Sequence, residues 1–157
     1  MVIKDFILAK SALSYRMVPD IDKIMVALLC SDDEGVVIDQ AVFFAEKFGA
    51  SLVAIHVNGP HAGEMSMMMD SPGPKITEDM IKDMFVQNGY EHWLKKLEIR
   101  IPEGAIESKT IAEHAQDVDM LVLGHRKMNK FKASFMDSVD EGIANLVSCP
   151  VVVIQKN

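Results

Sequence analysis

Lys23–Val57, KIMVALLCSDDEGVVIDQAVFFAEKFGASLVAIHV, decides the fold of this chain. Its first seven residues, Lys23–Leu29, are an apolar run of strand length, too short for a helix and without polar alternation. Such runs occur where a strand is covered on both faces. Ser31-Asp32-Asp33-Glu34 then has the spacing of a capping box, with Ser31 at the N-cap and Glu34 reaching back to it. A helix is predicted from there to about Phe48, with Val37, Ala41, Phe44, Ala45 and Phe48 on one stripe. Gly49 stands where a left-handed C-terminal cap is wanted. Ser51–Val57 is a second aliphatic strand, so the stretch reads as strand, helix, strand.

The same alternation continues to the end of the chain. Asn58–Lys75 carries three glycines and three prolines and reads as a long loop, mobile or functional. A helix is predicted over Ile76–Leu97, with Gly89 weakening its middle. A strand at Glu98–Ile101, a helix at Ile106–Gln116 and a strand at Met120–Leu123 follow. A loop from Gly124, a helix at Ser138–Val147 and a strand at Val151–Ile154 complete the series. Right-handed crossovers between such strands give an α/β fold: a doubly wound, five-stranded parallel sheet with helices on both faces, flavodoxin- or Rossmann-like. Residues 1–20 precede this pattern and read as an N-terminal extension to one domain over residues 21–157.

Composition narrows the function classes. At 49% hydrophobic and 25% charged residues, the chain of 157 has the makeup of a globular domain. A net charge of −7 argues against nonspecific nucleic-acid binding, which needs clustered cations facing phosphates. No apolar run reaches the roughly 18 residues that span a bilayer. The first residues have no continuous apolar core with a small-residue cleavage site, so a secretory signal is not expected. Cys30 and Cys149 have no metal-type spacing and lie in apolar surroundings, as buried thiols of a reducing, cytoplasmic compartment do. A disulfide between them is not expected, because Cys30 ends one parallel strand and Cys149 begins another, at opposite edges of the sheet.

Two stretches resemble the universal stress proteins: Lys23–Val57, and Asp119–Ile154 with DMLVLGHR followed by SVDEGIANLVSCPVVVI. The likeness is most specific in the last third, where a strand ending in glycine leads through a polar loop to a Ser-Val helix start and Cys-Pro before an aliphatic strand. The resemblance implies a stress-response binding or signalling protein. Nucleotide-binding members hold phosphates on a loop of pattern G-x2-G-x9-G-[ST], whose glycines admit backbone amides to the phosphates and whose end opens a helix. Gly124 and Ser138 match the first and last positions, while Lys127 and Asp137 replace the other two glycines. Leu29 stands where those members place an acidic residue for the ribose or base. Asp137 would repel phosphate, and Asp137 or Ser138 can cap the helix in its place. These departures predict that ATP is not held in the usual mode and that no cofactor is needed.

The alternative is an ATP-binding protein with slow hydrolysis, using Gly124, His125, Arg126, Lys127, Ser138 and Val139. His125, Arg126, Lys127, Lys130 and Lys132 make a local basic patch, read as solvated surface before it is read as an anion site. A weaker alternative is metal binding through Met65–Met69 with His61 and His56, whose thioethers and imidazoles suit Cu(I). A flexible loop packing its methionines is the plainer reading of the same residues. No G-x-S-x-G, Walker A or H-E-x-x-H motif is present, and His92, His114 and His125 lack an adjacent nucleophile and orienting acid. Enzymatic activity is therefore not expected.

The terminal strand carries the last expectation. Val151–Ile154 is fully aliphatic and falls at a sheet edge, where unpaired amides and carbonyls invite a second copy. Lys156 is the one nearby charge able to discourage pairing. Universal stress proteins commonly dimerise through this strand, so the resemblance also implies a homodimer, with no nucleic-acid or membrane partner.

Overall fold

Strand residues alternate strictly between two cores. Ile24, Val26 and Leu28 enter one core and Met25 and Ala27 the other, as a period of two requires of a sheet covered on both faces. The computed structural model describes residues 20–30, 33–65, 72–126 and 139–156, with backbone alone at 126 and 139–141. Of the expected N-terminal extension, residues 1–20, all but Asp20 lie outside the described residues.

The elements run β1 (Lys23–Ala27), α1 (Gly35–Phe48), β2 (Ser51–Ile55), α2 (Glu78–Gln87), a 3-10 turn (Glu91–Trp93), β3 (Leu97–Arg100), α3 (Glu107–His114), β4 (Met120–Arg126), α4 (Val139–Ala144) and β5 (Val151–Lys156). All five strands are parallel, in the order β3-β2-β1-β4-β5. The fold is the expected doubly wound α/β sheet. α1 and α2 cover one face, where Val37, Ile38, Ala41, Ile81, Phe85 and Trp93 pack on Ile24, Leu52 and Val122. α3 and α4 cover the other, where Ile111 and Ile143 meet Met25, Val53 and Leu121. Each fully buried aliphatic side chain contributes about 1.5–3 kcal/mol to holding these layers.

Several local expectations are corrected. The single helix predicted over Ile76–Leu97 is two pieces. Thr77 caps α2 by accepting from the Met80 amide at 3.4 Å. Gly89 then adopts φ 84° and ends it, with Tyr90 N donating to Phe85 O at 2.8 Å. A glycine that only weakens an isolated helix here reverses the chain, and Trp93 is thereby turned into the core. The capping box is not formed as predicted: Glu34 itself occupies the N-cap, three residues later than expected, and makes no side-chain cap bond to α1. Ser31 and Asp32 lie outside the described residues.

β4 and β5 are longer than predicted. Gly124, His125 and Arg126 belong to β4, paired with Ile154, Gln155 and Lys156, so the start of the basic patch is sheet and not loop. The cysteines are both free and half-buried, less buried than expected. β1 is the central strand, so Cys30 and Cys149 lie at opposite ends of the strands, not at opposite edges.

Candidate functional site at the carboxyl rim of the sheet

In an open parallel sheet, ligands settle at the carboxyl ends of the strands where the winding reverses. Here α1 carries the chain from β1 to β2 on one side, and the crossover from β3 to β4 passes to the other. The reversal falls between β1 and β4.

On the β4 side of that point an internal ion pair fills the space. Lys156 leaves the edge strand, and its stem runs across β4 over Gly124. A Cβ on Gly124 would overlap Lys156 Cε and come within 2.8 Å of Val37 Cγ2. The glycine is needed here because a lysine stem crosses it, whatever else it admits. The ammonium ends 2.5 Å from Glu34 Oε1 and 3.5 Å from Asp33 Oδ1. Glu34 and Lys156 are 2% and 3% exposed, so the pair is buried. Glu34 Oε1 also accepts from the Leu29 amide at 3.3 Å, which fixes the turn leaving β1.

On the β2 side the rim is open. A crevice of about 460 Å³ is lined by Leu29, Cys30, His56, Pro60, Pro74 and Ile76, among others. Leu29 is 49% exposed at its mouth, an apolar side chain with nothing to offer a sugar hydroxyl. Cys30 has φ 57°, a left-handed conformation that costs a residue with a Cβ on the order of 1 kcal/mol and tends to mark functional turns. Its thiol is pushed up to about 12, first by burial, then by the carboxylates of Glu34 and Glu107, with Lys156 opposing. The thiol is therefore protonated at neutral pH. Burial likewise raises the Glu107 carboxyl, and His56 acts against that shift.

The loop entering this crevice is pinned at its base. Asn58 is buried and donates to Ile76 O at 2.9 Å while accepting from Ile76 N at 2.9 Å. Gly63 N donates to Gly73 O at 2.9 Å. Asn58–Lys75 is the expected long loop between β2 and α2, with its described stems anchored, and residues 66–71 lie outside the description.

The predicted site residues separate into three groups. Gly124 lies beside the ion pair, and His125 is half-buried on β4. Arg126 and Val139 are described only as backbone of β4 and α4. Lys127, Asp137 and Ser138 lie outside the described residues, as do Lys130, Lys132 and Met67–Met69. Of the histidines named for a metal, His56 Nδ1 is 2.7 Å from Leu28 O, and His61 Nδ1 is 3.1 Å from Glu64 Oε2. Lys156 and Glu34 were missed as site residues. The sequence signal was faint: a cation in phase with the strand, two residues past an aliphatic run, and an acid after another strand.

The fold and its rim define a doubly wound α/β protein with its candidate site at the topological switch point. Residues 20–155 match the universal stress protein family, and the chain belongs to that family. No curated protein matches the sequence. Solved structures share the fold at low identity. A universal stress protein in complex with cAMP is 15% identical with TM-score 0.65, covering 88% of this chain and 100% of that one. UspA from Lactobacillus plantarum is 20% identical with TM-score 0.56, covering 87% and 99%. A universal stress protein from Archaeoglobus fulgidus in complex with dAMP is 20% identical with TM-score 0.55, also covering 87% and 99%. Among the described residues no helix is long and apolar enough to cross a membrane.

Proposed function

We propose that this chain is a homodimeric, cytoplasmic stress-response signalling protein that does not hold ATP in the mode its family pattern describes. One observation carries the reading: the room that Gly124 opens at the switch point is taken by the Lys156 stem, whose charge is spent on Glu34. A triphosphate arriving there would meet the buried Glu34 carboxylate, and like charges within about 4–6 Å repel. Freeing Lys156 to bind phosphate would leave Glu34 buried without its cation, at a cost of about 3–5 kcal/mol. Equilibrium binding of a fluorescent ATP analogue, with and without magnesium, tests this. No saturable binding at micromolar protein is expected, and a structure with ATP seated over Gly124 would overturn the reading.

The open crevice beside Leu29 favours a second reading, in which a nucleotide of smaller charge binds. Two structural relatives were solved with cAMP and dAMP. Titration with AMP in place of ATP separates the two: saturation by AMP alone supports the second.

The dimer is argued from the edge. β5 pairs only with β4 among the described strands, and Val153 is 47% exposed on it. Lys156 points inward to Glu34 instead of guarding the edge, so the charge expected to discourage pairing is withdrawn. Two copies joined by a two-fold axis close on themselves and leave no free edge. Sedimentation of Val153→Lys against wild type checks this, since Val152 and Ile154 pack into the core and lysines there would unfold more than the interface. A dimeric wild type and a monomeric, folded variant are expected.

A further inference from the structure

A second cavity lies on the α1–α2 side of the rim, independent of the nucleotide question. It has a volume of about 200 Å³ and is lined by Cys30, Glu34, Gly35, Met80, Met84 and Asn88, among others. Met80 and Met84 stand one turn apart on α2, so their side chains share a face. That face is turned to the strand end that carries Cys30. Met84 is half-buried against the core, while Met80 is 41% exposed and leaves the cavity open to solvent. Asn88 Nδ2 donates to Met84 O at 2.7 Å, which fixes the end of α2 beside the thioether. The lining therefore includes one cysteine and two methionines.

We propose that Cys30, Met80 and Met84 form a binding site for a soft monovalent cation of the Cu(I) or Ag(I) type. One thiolate and two thioethers are the donor set that prefers such ions over oxygen-seeking or borderline metals. Among the described residues no group of three or more His, Cys, Asp and Glu is placed to hold a metal, so a hard or borderline site does not compete. Binding forms one Cys30 Sγ–metal bond and releases that thiol proton to solvent, with no change in oxidation state. Cys30 holds a left-handed backbone at a conformational cost that a binding role explains.

Titration of the reduced full chain with Ag(I), followed by ultraviolet thiolate-to-metal absorption and by sulfur-shell X-ray absorption, tests the site. One tight equivalent with an all-sulfur shell and release of one proton is expected. Cys30→Gly should abolish that equivalent. Glycine suits the left-handed backbone, so the variant keeps its fold and its thermal melt reports that directly. Met80→Leu and Met84→Leu, which conserve volume, should each weaken binding about tenfold, equivalent to about 1.4 kcal/mol. Cys149→Ser and the joint replacement of Met67, Met68 and Met69 by leucine should leave the affinity unchanged. Retention of the tight equivalent in Cys30→Gly, indifference to both α2 leucines, or loss on changing Met67–Met69 would each overturn the proposal.

Discussion

Two ion-pair clusters sit at different depths of this molecule. On the α3 side, Arg100 makes paired contacts to Asp117 at 2.8 and 2.9 Å and also reaches Glu98 at 2.7 Å, while Lys23 adds a 2.9 Å contact to Asp117. It is rich in bonds, but Asp117 is 50% exposed and water competes for every contact. At the carboxyl rim, Lys156 and Glu34 are almost sealed from water. Burial therefore ranks the clusters by their consequences. The exposed network fastens α3 to the sheet. The buried pair decides what can enter the switch point, because neither charge can be left alone in a dry place.

The largest effect tests that ranking directly. Lys156→Met alone is expected to lower stability by about 3–5 kcal/mol in denaturant unfolding, since it takes the cation from a buried carboxylate, and Glu34→Gln alone by less, since Asp33 Oδ1 still stands 3.5 Å from the Lys156 ammonium. The double variant should recover much of the loss, and the cycle should report coupling well above about 1 kcal/mol. Additive single effects would erase the distinction between the two clusters.

Gly124→Ala is expected to come next, at about 1–3 kcal/mol, because the new methyl collides with the Lys156 stem and Val37. Adding Lys156→Ala, which frees that space, should soften the steric part of the penalty. A Gly124→Ala chain as stable as wild type would mean that the stem does not cross the glycine in solution.

The smallest effect belongs to the exposed network. Asp117→Asn is expected to cost less than about 1 kcal/mol at pH 7. Its sign with pH is fixed: Arg100, and then Lys23, hold the Asp117 carboxyl well below its ordinary range. The contribution is therefore present above the unfolded carboxylate pKa of about 3.9 and is lost as pH falls toward the folded value. Unfolding curves of wild type and Asp117→Asn should converge in acid, and about 0.5 M salt should shrink their difference at pH 7 more than it changes the Lys156–Glu34 coupling.

The same contrast separates what was legible in the sequence from what was not. Lys23–Leu29, Ser51–Val57 and the later aliphatic runs announce strands covered on both faces, because only a parallel sheet under two helix layers gives such residues apolar neighbours on both sides, and the strands themselves stop at Ala27 and Ile55. Gly49 as a helix stop was equally legible, and it does adopt φ 65°. Spacing along the chain was enough for these. The α2 boundary was harder: Gly89 looks like a tolerable weak point until Asn88 and Tyr90 close the turn and Trp93 is needed in the core.

The site was half legible. Gly124 and Leu29 were picked out by their place in a pattern, and both lie at the carboxyl rim. Lys156 was read as a guard for the edge strand because it follows an aliphatic run, and a lysine near an edge most often points to water. Local sequence determined the strands, their covered faces and the glycine at the switch point, since those follow from backbone geometry and the cost of wetting apolar side chains. Only the tertiary structure decided that Lys156 turns inward to meet Glu34, 122 positions away, and that Cys30, Met80 and Met84 line one cavity. Such pairings depend on which strands become neighbours, and long-range contacts leave no periodic trace in the residues that make them.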